Sequence, residues 1–286
     1  MAKYFEPEYK IKIGKQYQHI IPQVYLRQFG FQKFGTKWFV SVRNIEKDKW
    51  EDREIRRFLG EKEIYTFEFA DEISEMIIEN KLNGGIENRI RLIIEELECE
   101  DFIHENTHLA IAETTANFLC RNLEIRSWIE GWLNKPNLKE FFDFINKVTP
   151  FEEDAKQRVF DNINQFPIKD RVNAYMVFFM NYVAYLLRTA SIEVLIGGED
   201  YPFFTSDNPV CIEGVEGYGD LEKDEMEVYF PVSNKYLVRF YWHPNGSDIQ
   251  RNFKVVTNDI YNHFHKNILP SFAKNFIICP KSMEEI

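Results

Sequence analysis

The run Met176–Leu187, MVFFMNYVAYLL, lies inside a helical stretch from Asp170 to Thr189 and is apolar on nearly every side of a helix. A helix of this kind has to be enclosed. It falls well short of the ~20 apolar residues of a membrane span, so the enclosure must be other protein elements. The rest of the chain therefore has to supply a wrapping on all sides.

Helical periodicity extends back to about Asp71. In Ile86–Leu97, IENRIRLIIEEL, apolar residues fall at 86, 90, 93, 94 and 97, one stripe that starts beside Gly84–Gly85. A longer helix is predicted from Glu105 to Glu130, with Leu109, Ala112, Ala116, Leu119 and Leu123 near one face. Pro136 ends that region, and Pro150 and Pro167 punctuate the chain between it and the apolar helix.

Strand patterns flank this helical middle. Before it come KWFVSVRN (Lys37–Asn44) and EIYTFEF (Glu63–Phe69), joined by the mixed-charge connection WEDREIRRFLG. After it come SIEVLIGG, FFTSDNPVCI, MEVYFPVS, YLVRFYW and FKVVT, then a short helix from about Asp259 and a last strand, NFIICP. The expected fold is α+β, a single domain over residues 1–286. It has an N-terminal helix and strands (1–70), a helical insertion (71–190) and a β-rich region (191–286). The terminal strands are expected to share one mixed or antiparallel sheet. The 26 Phe and 14 Tyr fit a thick core between helices and sheet.

A formal net charge of -11 argues against a general nucleic-acid coating protein, which needs basic surface to release phosphate counterions. It leaves room for a local basic cleft. Cys99, Cys120, Cys211 and Cys279 form no CxxC pair, so a reduced, cytoplasmic setting is expected. Residues 1–15 carry no apolar signal core, and no membrane association is expected.

The segment Gln18–Gly30, QHIIPQVYLRQFG, holds the densest chemistry. With Pro22 at a helix start and Gly30 at its end, Gln23 and Arg27 sit one turn apart on one face. His19 lies just before them and can act as acid, base or ligand near neutrality. Arg27 offers a two-pronged fork for phosphate or carboxylate. The plainer alternative is a buried polar clamp that satisfies backbone carbonyls. In Thr205-Ser206-Asp207-Asn208-Pro209 a strand end is followed by polar side chains, and Asp207 can serve as base, metal ligand or partner of Arg27 or Arg121. An Asx-type turn before Pro209 accounts for the same residues.

His104-Glu105-Asn106-Thr107-His108 matches the H-E-x-x-H zinc signature, with Glu105 as base. Its place at a helix start beside Glu100 and Asp101, and the lack of a third ligand in zincin spacing, point instead to a solvated first turn; Glu124 or Glu130 are the nearest substitutes. His263 and His265, two apart, diverge in a helix. Arg53, Arg56 and Arg57 form the notable basic cluster and read as a solvated connection before a phosphate site. No Walker, dinucleotide or Gly-x-Ser-x-Gly pattern occurs.

QHIIPQVYLRQFG, with FTSDNPV (Phe204–Val210), FPVS (Phe230–Ser233), Asn262, Ala273 and Arg121, resembles the bacterial group known as domain-of-unknown-function family 4238 over nearly the whole chain. The third block departs from that group's more usual PLSP, reading Pro231-Val232-Ser233-Asn234 here. The resemblance implies an intracellular bacterial protein, often encoded among mobile or defence-associated genes, and no known reaction.

The resulting expectation is a hydrolase-like effector acting on nucleic acid or a nucleotide, in defence or toxicity. His19 and Asp207 are its candidate catalytic residues; Gln23, Arg27, Arg121, Ser206 and Asn208 would bind substrate. A divalent metal is compatible with Asp207. The rival expectations are a non-catalytic module for a protein partner or small ligand, and a zinc peptidase through His104 and His108.

Overall fold

The computed structural model describes residues 17–68, 78, 84–99, 101–149, 152–215, 217–219, 221, 225–242 and 248–280. The N-terminal 16 residues, most of 69–83, Glu100 and Pro150 lie outside them, so the onset of helical character near Asp71 does too.

The enclosed helix is α7 (Ile168–Thr189), entered from Pro167. Tyr175, Met176, Phe179, Met180, Tyr182, Val183, Leu186 and Leu187 are all buried. Along its C-terminal half, Asn181, Tyr185 and Arg188, spaced by four and three, form a line left to solvent. Burial of each large apolar side chain contributes about 1.5–3 kcal/mol relative to exposure, so α7 anchors the core. It packs on α3 (Glu105–Cys120), α4 (Leu123–Leu133) and α5 (Leu138–Ile145), and α2 (Gly84–Cys99) lies on α3. A further helix, α6 (Glu153–Ile163), precedes α7.

The expected continuous helix from Glu105 to Glu130 is two helices. α3 ends at Arg121, and the Asn122 side chain accepts the Glu124 N–H at 2.9 Å to start α4. Asparagine at this position competes for backbone donors and opens a new helix direction.

At the N-terminus, β1 (Tyr17–His19) leads into the short helix α1 (Gln23–Leu26) and a 3-10 turn over Arg27–Phe29. Pro22 is the residue before the helix, with extended backbone, not its first helical residue. Then come β2 (Phe31–Lys33), β3 (Lys37–Asn44), β4 (Lys49–Glu54), a 3-10 turn over Ile55–Arg57 and β5 (Gly60–Lys62), which pairs with β1. The stretch WEDREIRRFLG is thus largely strand, because β4 returns on β3 as a hairpin.

Residues 63–68 form no strand. Glu63 takes a positive φ of 58°, and side chains satisfy the backbone: Gln18 Oε1 accepts the Tyr65 N–H at 2.7 Å, and Asp170 accepts that of Glu68 at 2.9 Å. The β-type composition is overridden by these buried polar partners.

The C-terminal third holds β6 (Ser191–Ile196), β7 (Thr205–Ser206), β8 (Cys211–Glu213), β9 (Glu227–Pro231), β10 (Tyr236–Tyr241) and β11 (Arg251–Val255). It closes with α8 (Asn258–His263), a π-helical turn, α9 (Leu269–Phe272) and β12 (Phe276–Cys279). Among the described residues, one sheet runs β11-β6-β10-β9-β8, with β11 parallel to β6 and the other pairs antiparallel. The other five-stranded sheet joins the two ends of the chain. Phe39 of β3 pairs with both Phe31 of β2 and Glu54 of β4, while β12 pairs antiparallel with the rest of β3, Ser41–Asn44, and in turn with β7. The fold is α+β, with terminal strands sharing a sheet as the sequence predicts.

Tyr25, wholly buried, ties the layers together. Its hydroxyl donates to the Pro231 carbonyl at 2.7 Å, so the Thr205 hydroxyl, also at 2.7 Å, donates to Tyr25. Its ring stacks on Phe230, 9° from parallel, and meets Phe118 and Phe29.

Candidate functional site

Gln23 and Arg27, one turn apart, do point the same way. They face an open cleft of about 310 Å³ whose other walls are Lys37 and Trp38 at the start of β3, and Glu54 and Arg56 at the end of β4 and the turn after it. Gly30 lets these walls meet: a Cβ there would lie 2.9 Å from the Phe39 carbonyl oxygen and 3.2 Å from Ile55 Cδ1. Lys37 stands 3.9 Å from Glu54. The Arg27 and Arg56 guanidiniums make no hydrogen bond or ion pair with a described residue. Two uncompensated cations in one cleft of an acidic chain leave a local positive field.

His19 sits behind this cleft. Its Nε2 is 3.1 Å from the Arg56 carbonyl oxygen and 3.4 Å from the Gln23 side-chain amide. A carbonyl only accepts, so the shorter contact places a proton on Nε2. The next residue in the basic cluster, Arg57, is held through its own carbonyl by the Tyr17 hydroxyl at 3.0 Å.

Arg121 is almost fully buried at the end of α3. One guanidinium nitrogen donates to the His19 carbonyl oxygen, and the group lies 5.5 Å from the Tyr65 ring centre. The structure thus places Arg121 behind His19 rather than in the cleft. A chain of contacts runs from Arg121 to the His19 backbone, through its imidazole, to the backbone that carries Arg56.

The Thr205–Pro209 loop is elsewhere. Asp207 accepts the Lys274 and Asn275 backbone N–H groups at 3.0 and 2.8 Å and the Asn275 side-chain amide at 2.9 Å; neither Arg27 nor Arg121 is among its partners. Ser206 turns on its own loop, accepting the Asn208 N–H and donating to the Asn208 carbonyl. The Asn208 side chain is buried, and both its polar atoms lack a hydrogen-bond partner among the described residues. Asp207 therefore fastens the segment entering β12, and His19, Gln23 and Arg27 are not brought to it.

The two histidines of His104–His108 lie in different surroundings. His104, just before α3 in extended backbone, is exposed with its ring against Phe102. His108 is buried, its Nε2 on the Leu187 carbonyl at 3.0 Å and its Nδ1 accepting from Arg251 Nε at 3.3 Å. Burial lowers its pKa. Both ring nitrogens are engaged in joining α3 to α7 and β11, and the described residues hold no cluster of three or more metal-ligating side chains.

A second cleft, about 490 Å³, opens on the C-terminal sheet. There Arg239 forks onto Glu227, which also accepts from the Tyr229 hydroxyl, and His263 lies 3.3 Å from Glu213. The arginine pair holds Glu227 below the usual carboxylate range against its burial. This group went unread in the sequence; its signal is a lone arginine at the centre of the apolar strand YLVRFY.

A family model described as "Protein of unknown function (DUF4238)" matches residues 17–278. The chain belongs to the DUF4238 family. No curated protein and no solved structure matches it. In this DUF4238 chain, the three sequence blocks that carry the resemblance meet at Tyr25, Thr205 and Pro231, inside the core and not at a cleft. No helix among the described residues is long and apolar enough to cross a membrane.

Proposed function

We propose that this DUF4238 chain binds a phosphate-bearing ligand, of the nucleotide or nucleic-acid class, in the cleft between α1 and the β3–β4 hairpin. The observation that carries this reading is the pair of guanidiniums, Arg27 and Arg56, that face one cleft without an acidic partner among the described residues. Guanidinium forks match phosphate oxygens in pairs, and Lys37, 3.9 Å from Glu54, stands on the same wall. Calorimetric titration with inorganic phosphate and with nucleotides tests it. Arg27→Ala and Arg56→Ala should each weaken binding about tenfold, as expected for loss of one charge-assisted contact, and binding should weaken with salt. Binding that ignores both substitutions overturns it.

A second reading adds hydrolysis of the bound phosphoester, in a defence or toxin role, with His19 moving the proton. It is favoured by the His19 imidazole lying against Gln23, a residue of the cleft wall. Purified protein and His19→Ala would be compared on RNA, DNA and nucleotides, with and without divalent metals. Equal turnover by the two proteins, or none under any metal, sinks this reading while leaving binding intact.

A further inference from the structure

The cleft is not built for a bare anion. Glu54 stands among its three cations, 3.9 Å from Lys37, and a carboxylate there repels phosphate. It suits a ligand that presents hydrogen-bond donors beside its phosphate, such as sugar hydroxyls or an exocyclic amine. Gln23 can both donate and accept. Trp38 supplies an aromatic wall; it is half-buried, and its indole N–H has no partner among the described residues.

The volume, about 310 Å³, falls at the small end of the ~300–1,000 Å³ usual for ligand pockets, room for one nucleotide unit rather than a dinucleotide. A polymer would need phosphate contacts beyond the cleft, and the chain carries 46 acidic against 35 basic residues.

We infer that the cleft takes a free nucleoside monophosphate, its phosphate on Arg27, Lys37 and Arg56 and its base against Trp38. Arg27 and Arg56 neutralise the phosphate, Glu54 and Gln23 meet the sugar or base edge, and the indole gives the base a π-face. This assignment rests on the phosphate reading of the same cleft.

The test is calorimetric titration of the full chain with the four common nucleoside 5′-monophosphates, inorganic phosphate and a short single-stranded oligonucleotide. At least one monophosphate should bind about tenfold tighter than inorganic phosphate. Trp38→Leu should erase that margin and leave phosphate affinity unchanged, whereas Trp38→Phe should retain most of it. Glu54→Gln, at a partly exposed position with little effect on folding, should tighten phosphate and narrow the margin, which covers the case that Trp38→Leu fails to fold. Equal affinity for phosphate and every monophosphate overturns the nucleotide assignment and keeps the phosphate reading. Tighter binding of the oligonucleotide than of every monophosphate overturns it in favour of a nucleic acid. Binding of none of the probes overturns both.

Discussion

The Tyr25 hydroxyl lies 2.7 Å from the Thr205 hydroxyl, across 180 residues of sequence, and donates its own hydrogen bond to the Pro231 carbonyl. The first helix, the Thr205–Pro209 loop and the end of β9 are thereby fixed to one buried oxygen. Tyr25→Phe keeps the stacked ring and removes that oxygen, leaving Thr205 and Pro231 without it. A loss of about 1–3 kcal/mol is expected. Urea unfolding should show a lowered midpoint with an unchanged slope.

Asp207 receives three N–H donors from residues 274 and 275. Asp207→Ala should destabilise by about 2–3 kcal/mol, since hydrogen bonds to a charged group are the stronger kind. Amide exchange at Lys274 and Asn275 should speed up more than at β10, and phosphate affinity at the Arg27 cleft should stay as it was. A lost affinity with unchanged exchange would show that Asp207 acts on the ligand.

His265 is enclosed by Phe203, Phe204, Tyr261 and Phe264. Its Nδ1–H donates to the Tyr261 carbonyl and its Nε2 accepts the Phe204 N–H, so the neutral ring is the one that fits. Burial lowers its pKa from 6.5 to about 4. The unfolded chain takes up this proton below pH 6.5 and the folded chain not until about pH 4. The stability it contributes is therefore present above pH 6.5 and is lost as pH falls towards 4, on the order of 3 kcal/mol. An imidazole resonance that titrates near 4 confirms this; one near 6.5 refutes it.

His108→Ala removes a ring that bridges Leu187 and Arg251. A loss of about 2–4 kcal/mol is expected from the cavity and the stranded carbonyl, with no change in bound zinc by elemental analysis. Stoichiometric zinc lost on this substitution would restore the peptidase reading.

Much of this architecture was legible because it rests on long apolar patterns. The strands β3, β6, β9, β10 and β12 and the helices α2 and α7 carry their periods within themselves. The break at Asn122 was not legible, since an asparagine in a helical pattern acquires its cap only from the local backbone. Residues 63–68 misled for a related reason: Gln18 and Asp170, remote in sequence, supply their hydrogen bonds. The cleft was half legible. Gln23 and Arg27 share a face by spacing alone, whereas Lys37, Trp38 and Arg56 reach it only through the β3–β4 hairpin, and Asp207 was drawn away by a loop it fastens.

The place of β12 beside β3 also sets an order of events during synthesis. β3 has β2 and β4 within reach as soon as the first 54 residues are made, but the stretch from Ser41 to Asn44 keeps one bare edge until residues 276–279 emerge. Every helix after α1 and the whole second sheet are translated in between, and the loop to be closed is long. A stalled ribosome therefore displays a hairpin with an open backbone edge, a template for any stray strand. The last strand is the one that ends this exposure, so whatever delays the docking of Phe276–Cys279 on β3 prolongs it.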